Sequence, residues 1–161
     1  MASVLHITTE SEWEVLRADW QRLAGGQPFR SWSWLTAWWH HYQTDDRRLS
    51  LLAVFGSDNH LLGVAPFYRQ RVAGRYDVLR LLGAGDVCSE YLGLLVEPAA
   101  EREVACALAQ WLTAPVGVQH GAVRKPVDRI TADQNASAPK LTWDSLELSP
   151  IAASDTATIR L

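Results

Sequence analysis

The sequence predicts one α/β (α+β) domain with a mostly antiparallel sheet, two helices after the first strand and one helix after the central strands. Three observations support this prediction. Four tryptophans fall within residues 32–39, residues 49–68 hold two apolar runs around a polar turn, and residues 101–112 repeat apolar side chains at helical spacing. A chain of 161 residues is long enough to bury a core beneath such a sheet.

The amino-terminal segment predicts a strand followed by a helix. Residues 4–7 favour a short strand, and Thr9 with Glu12 three positions later forms the capping-box pattern that begins a helix. The glycine pair after residue 24 predicts where this helix ends. Its apolar stripe consists of Trp13, Leu16, Trp20 and Leu23.

A second helix is predicted from Ser31 to Tyr42. At 100° per residue its aromatic and leucine side chains fall within an arc of roughly 160°, and Ser33, Thr36 and His40 lie opposite. Such a stripe indicates a helix that faces the core. The alternative is a platform of tryptophans that stacks sugars or bases, which would require the rings to be exposed.

The central segment predicts a β-hairpin and two further strands. Residues 49–55 and 61–68 are apolar runs separated by a turn of glycine and polar residues. Pro66 lacks an amide donor, so it predicts a bulge or a place where neighbouring strands separate. Residues 77–82 and 91–96 are the two further strand candidates, and a helix over 101–112 follows Pro98.

The domain organisation follows from where this periodicity stops. Residues 1–112 form the predicted core, and residues 113–140 hold three prolines and two glycines without a clear period, which is typical of a long loop or linker. Residues 141–149 alternate polar and apolar side chains, so they predict a strand that returns to the same domain. Residues 150–161 are interpreted as a truncated tail.

Composition limits the classes of function. The net charge of −3 gives no general attraction for nucleic acid or anionic lipid, and the one short basic cluster consists of Arg69, Arg71 and Arg75. No apolar run approaches the roughly 20 residues of a membrane span, and the amino terminus lacks a secretory signal. We therefore expect a cytoplasmic protein with no membrane span and no nucleic-acid partner.

Cysteine and histidine spacing predicts no metal site. Cys88 and Cys106 lie outside any zinc-ligand pattern, so we expect two reduced, inert thiols that behave as small buried hydrophobes. His40 and His41 would point about 100° apart on a helix, which does not suit one metal ion. Common hydrolase, metalloprotease and nucleotide-binding motifs do not occur in the chain.

An ordered set of motifs between residues 4 and 149 resembles one family. The motifs are Trp13-x-x-Leu16, Pro28-Phe29 through Trp39, Leu61-x-Gly63 through Tyr68, Leu79 to Gly83, Glu90-Tyr91-Leu92 and Trp143-Asp-x-Leu146. In order and spacing they resemble the amino-terminal part of CelD-like proteins. These are bacterial acyltransferases of the GNAT superfamily, related to the FemAB group, and some are linked to cellulose or other exopolysaccharide production.

The resemblance implies a GNAT-like half whose carboxy-terminal counterpart carries the acetyltransferase signature. It implies acetyl-CoA or another acyl-CoA as cofactor of the full-length family. The implied partners are a carboxy-terminal GNAT-like half, in cis or in trans, and an envelope or polysaccharide precursor. On this resemblance the chain ends where the second half would begin, so we expect a truncated gene product, a split gene or a lone amino-terminal half.

Two places are candidates for cofactor binding. Arg80, Gly83 and Gly85 match the GNAT pattern Arg/Gln-x-x-Gly-x-Gly/Ala, whose backbone amides would hold a pyrophosphate. A phosphate loop should lead into a helix, however, and this one leads into a predicted strand. The strand that does lead into a helix ends in the acidic run 97–103, which would repel a pyrophosphate. We therefore expect no cofactor in this fragment.

The loop before the strand 91–96 holds the catalytic candidates. Asp86 and Glu90 are carboxylates that could deprotonate an amine, and the Tyr91 phenol could protonate a leaving thiolate. The alternative interpretation, which general experience with such clusters favours, is that these groups only orient the loop.

Three functions remain open at this point. The first is the amino-terminal GNAT-like domain of an acyl-CoA-dependent N-acyltransferase-like protein, inactive as a fragment, which forms one wall of an acceptor groove. The second is a non-catalytic interaction or carbohydrate-binding module that uses exposed tryptophans. The third is a complete acetyltransferase that uses residues 80–85.

Overall fold

A long, bent antiparallel hairpin connects the two sheets of this protein. The computed structural model describes residues 2–85, 87, 89–114, 141–149, 155 and 158. The strands are β1 (Ser3–Ile7), β2 (Arg47–Leu49), β3 (Leu51–Phe55), β4 (Leu61–Ala65), β5 (Phe67–Val72), β6 (Tyr76–Leu81), β7 (Leu95–Val96) and β8 (Ser145–Glu147). The α-helices are α1 (Glu10–Val15), α2 (Arg17–Ala24), α3 (Trp32–Tyr42) and α4 (Glu101–Thr113).

The fold is mixed α+β with antiparallel sheets, which confirms the predicted class at that level. One sheet has the strand order β1-β3-β4-β7 and the other has the order β2-β5-β6-β8. Every pair of neighbouring strands is antiparallel except β6 and β8, which run parallel. The returning strand predicted over 141–149 is therefore present, although it spans only Ser145–Glu147.

The two predicted hairpin strands each continue through a bend from one sheet into the other. Leu49 pairs with Tyr68 and Leu52 with Ala65, so the register is the same on both sides of the bend. Between them the Ser50 amide donates to the Phe67 carbonyl at 3.1 Å. Pro66 has no amide to donate. The second strand of the hairpin has β7 as its outer neighbour before Pro66 and β6 after it. The prediction that strands separate at Pro66 is confirmed.

The helix predicted after β1 begins as expected and bends in the middle. Thr9 and Glu12 form the capping box. The regular hydrogen-bond pattern is interrupted at Leu16, whose amide donates to the Trp13 carbonyl three residues before it at 2.9 Å, so the segment forms two helices, α1 and α2. The apolar stripe still faces inward, because Trp13, Leu16 and Trp20 are buried.

The tryptophans form the first core, between α1–α3 and one face of the first sheet. The rings of Trp13, Trp20 and Trp32 contact one another with centroids 5.0–5.6 Å apart. In α3 the side chains of Trp32, Trp38 and Trp39 are buried, which confirms the predicted core-facing stripe. All eight tryptophans lie in described positions; five are buried, and Trp34, Trp111 and Trp143 are partly buried.

The second core lies between α4 and the opposite face of the same sheet. Helix α4 buries the four residues predicted for its inner face, namely Val104, Ala105, Leu108 and Leu112. They pack against Leu52, Val54 and Phe67 of the bent hairpin. Cys106 lies on the outer face and is exposed, so the expectation that it is a buried hydrophobe is wrong. Cys88 and the predicted linker, apart from residues 113 and 114, lie outside the described residues.

Arg30 holds the segment between β6 and β7 in place. Its guanidinium donates to the carbonyls of Tyr91 and Leu94, and it pairs with the Asp155 carboxylate. Asp155 in turn accepts from the Thr158 amide, and the Thr158 hydroxyl accepts from the Leu94 amide at 2.9 Å. These two residues belong to the segment interpreted as a tail, and both are buried.

None of the helices among the described residues has the length and apolar character needed to cross a bilayer.

Replacing Gly93 by alanine should destabilise the protein by about 1–3 kcal/mol. A Cβ at this position would overlap the Asp155 carboxylate and come within 2.8 Å of the Thr158 hydroxyl and 3.0 Å of the Arg30 guanidinium. Urea unfolding of Gly93→Ala, Asp155→Ala and the double variant gives their free energies of unfolding, which form a double-mutant cycle. If the contact is responsible, the loss caused by Gly93→Ala is smaller in the Asp155→Ala background, and purely additive losses would contradict it.

Stability should decline at alkaline pH because of Tyr68. Burial against Trp38 raises the pKa of the Tyr68 phenol, while the charges of Arg47 and Arg80 act in the opposite direction. A raised pKa in the folded state favours folding below the ordinary value of about 10, and this contribution is lost as pH rises through the higher folded value. Urea unfolding at increasing pH should show a shallower decline for Tyr68→Phe than for the wild type. The half-exposed Tyr76 provides the control Tyr76→Phe, which should decline as the wild type does.

Candidate functional site

A polar cleft opens beside the bend of the hairpin. Strand β1 ends at the bend, and β2 lies on its other side. The last pair of β1 with β3 joins Ile7 to Leu51, and strand β2 lies past this point. The cavity has a volume of about 340 Å³. Its polar lining consists of His6, Thr8, Arg48, Ser50 and Arg69, and its apolar lining of Leu49 and Leu141. It is thus formed by both sheets together.

A histidine and a serine meet in this cleft. The Nε2 atom of His6 lies 2.9 Å from the Oγ atom of Ser50, which is only 1% exposed. The His6 ring also contacts the Trp111 ring of α4, with centroids 5.5 Å apart. An imidazole beside a hydroxyl can accept or donate a proton, and either group can bind a polar ligand. The tautomer of His6 decides which atom of the pair is the donor.

Two arginines lie side by side at the same cleft. Arg48 of β2 and Arg69 of β5 are direct partners in the antiparallel register, so both point to the same face of the second sheet. Arg69 lies 3.8 Å from the Asp77 carboxylate, which forms two shorter contacts with Arg71, at 3.1 and 2.9 Å. Arg48 donates to the carbonyl of Arg47 at 2.9 Å. The described lining of the cleft is therefore positively charged.

A second cavity of about 420 Å³ adjoins the first near the end of α3 and shares Thr8, Arg48 and Leu49 with it. Glu10 lies on its wall, where it accepts from the Trp39 indole at 3.0 Å and contacts His40 at 2.9 Å. Near this cavity, hydrogen bonds from Thr44 and Gln70 lower the pKa of Asp46. These carboxylates are thus bound by neighbouring groups of the protein.

Local sequence patterns contain little indication of this cleft. His6 and Ser50 are 44 positions apart and belong to no motif, so only the pairing of β1 with β3 brings them together. Arg69 belongs to the short basic cluster that the sequence shows, whereas its strand partner Arg48 lies outside that cluster. A like-charge pair of this kind becomes visible only once the register of β2 and β5 is known.

The first predicted cofactor-binding residue, Arg80, lies near the end of β6. Its guanidinium donates to the Gln70 side chain at 3.0 Å and pairs with Glu147 of β8 at 2.9 Å. It therefore links three neighbouring strands of the second sheet. This arrangement explains Arg80 as a structural residue.

Gly83 and Gly85 both adopt positive φ, at 90° and 111°. A Cβ on Gly83 would lie 2.9 Å from a methyl of Leu92 and 3.2 Å from one of Leu35, so leucine side chains fill the space beside it. Gly85 has open space at its Cβ position. Among the described residues the chain continues from here to β7, and the next α-helix begins at Glu101.

The catalytic candidates lie on the segment that Arg30 holds. Glu90 is exposed, and Tyr91 is 55% exposed with a φ of 58°. The carbonyl of Tyr91, rather than its phenol, makes the contact with Arg30. Asp86, the third member of the predicted cluster, lies outside the described residues.

The junction between β7 and α4 is acidic and occupied by side-chain contacts. The Glu97 carboxylate lies 3.4 Å from the Arg22 guanidinium and 3.1 Å from the His60 imidazole. A short 3₁₀ turn, Pro98–Ala100, follows, and α4 begins with Glu101 and Glu103 in its first turn. Carboxylates at this position are favourable for the helix dipole and unfavourable for a bound anion.

The described residues contain no group of three or more histidine, cysteine or acidic side chains that could hold a metal ion. His40 and His41 are exposed at the end of α3.

Comparison with known proteins found no matching family model, no matching curated protein and no matching solved structure.

Proposed function

We propose that this chain is a GNAT-like half of an N-acyltransferase-like protein, in which it forms one wall of the acceptor groove and does not bind acyl-CoA itself. The resemblance to the amino-terminal part of CelD-like proteins supports the family. The acidic start of α4 supports the inference that this half does not bind acyl-CoA. A second GNAT-like half, in cis or in trans, would bind the acyl-CoA and carry out the transfer.

The observation that carries the proposal is the environment of Glu97. In a GNAT-like half, the passage from β7 into α4 is the place where backbone amides would receive a pyrophosphate. Here Glu97, Glu101 and Glu103 place three carboxylates within one turn of that point. A pyrophosphate would have to approach these charges, which are repulsive at short range. The residues present therefore do not fit the phosphates of acyl-CoA.

The glycine motif does not provide a substitute site. The space that a phosphate would need beside Gly83 is filled by Leu35 and Leu92, and Arg80 is paired with Glu147. These contacts give Arg80 and Gly83 structural roles and argue against a complete acetyltransferase in this chain.

The cleft at the bend is the part of the molecule best suited to an acceptor. It combines hydroxyl, imidazole and guanidinium groups with two leucines, a mixture typical of small-molecule sites. In the family that the chain resembles, an envelope or polysaccharide precursor would be the acceptor.

Isothermal titration with acetyl-CoA tests the proposal. The wild-type protein should show no saturable heat at micromolar concentrations, because the acidic helix start repels the pyrophosphate. An active GNAT acetyltransferase titrated in the same buffer is the positive control, and the blue-shifted emission of the buried tryptophans verifies that the sample is folded. Micromolar, saturable binding of acetyl-CoA by the wild type would contradict the proposal.

A further inference from the structure

We propose that the cleft at the bend binds an oxyanion, the carboxylate or phosphate group of a small organic acid, between Arg48 and Arg69. This is the same cleft that the proposed function assigns to the acceptor, but the oxyanion site is argued from the cleft residues alone and not from the acidic start of α4.

The strand register is the first argument. Arg48 and Arg69 are directly opposite each other in an antiparallel pair. Side chains at such positions have Cβ atoms roughly 5 Å apart, and like charges there destabilise the sheet. A bound anion would lie between the two guanidinium groups and relieve this repulsion.

The neighbouring carboxylates neutralise the pair only in part. Asp77 accepts two hydrogen bonds from Arg71, at 3.1 and 2.9 Å, and forms a longer ion pair with Arg69 at 3.8 Å, so one carboxylate is shared by two guanidinium groups. Asp46 accepts hydrogen bonds from Thr44 and from Gln70, the latter at 2.8 Å. Among the described residues Arg48 forms no ion pair, so the cleft keeps a net positive charge that a ligand can use.

The remaining lining indicates the chemical class of that ligand. Guanidinium groups are planar donors that match the geometry of carboxylate and phosphate oxygens. The hydroxyls of Thr8 and Ser50 can contact further oxygens, and Leu49 and Leu141 offer an apolar wall. A volume of about 340 Å³ is at the small end of the range for ligand sites. These features fit an anionic head on a short apolar body.

The test compares inorganic phosphate with succinate, each added at constant ionic strength against chloride. Binding should appear as a saturable rise in Tm, since a ligand of the folded state stabilises it. The variant Arg48→Gln should weaken binding about tenfold, because it removes a charge-assisted contact. In the absence of either anion its Tm should not fall below that of the wild type, because the substitution removes the repulsion.

The matched control is Arg75→Gln, which removes the same charge from the turn between β5 and β6 and should leave binding unchanged. Arg69→Gln is the second variant and should weaken binding as Arg48→Gln does. A preference for phosphate or for succinate identifies the head group and supports the site. The proposal is wrong if neither anion binds better than chloride, or if both cleft variants bind as Arg75→Gln does. A micromolar acetyl-CoA signal that persists in Arg48→Gln would contradict only the proposed function, so the two failures are distinguishable.

Discussion

The bend of the central hairpin at Ser50 and Pro66 sets how the two sheets meet and where the polar cleft lies. Because the hairpin keeps one register across the bend while its strands enter two different sheets, its outer neighbours must change there. On one side the missing amide of Pro66 coincides with the change from β7 to β6. On the other side β1 ends at the bend, and β2 lies beside the cleft. The polar cleft is therefore a consequence of the passage of the hairpin strands from one sheet into the other.

A largely buried ion pair stabilises the segment between β6 and β7. Arg30 has a side chain that is 19% exposed, and its partner Asp155 is 5% exposed. An ion pair of this kind is costly to break, because either charge alone would be left desolvated. The pair and the backbone carbonyls around it hold the loop that contains Glu90 and Tyr91. The structural interpretation of that loop therefore has a physical basis, whereas its catalytic interpretation has no contact in the described residues to support it.

Local sequence patterns predicted most of the helices and strands correctly. The capping box of Thr9 and Glu12, the tryptophan stripe of α3 and the inner face of α4 depend on neighbours three or four positions apart, which the sequence shows directly. The bend at Leu16 and the docking of Asp155 against Gly93 were not predicted. Both depend on packing between segments, and in the second case the contacting residues are 62 positions apart.

The candidate site also combines features that adjacent residues show with features that depend on contacts between distant segments. The basic cluster of Arg69, the acidic run 97–103 and the strand break at Pro66 can be recognised from the sequence, because each is a property of adjacent residues. The pairing of Arg48 with Arg69 and the contact of His6 with Ser50 appear only in the folded chain. Those pairs depend on strand register, in which a slip of one residue would turn the side chains to the opposite face of the sheet.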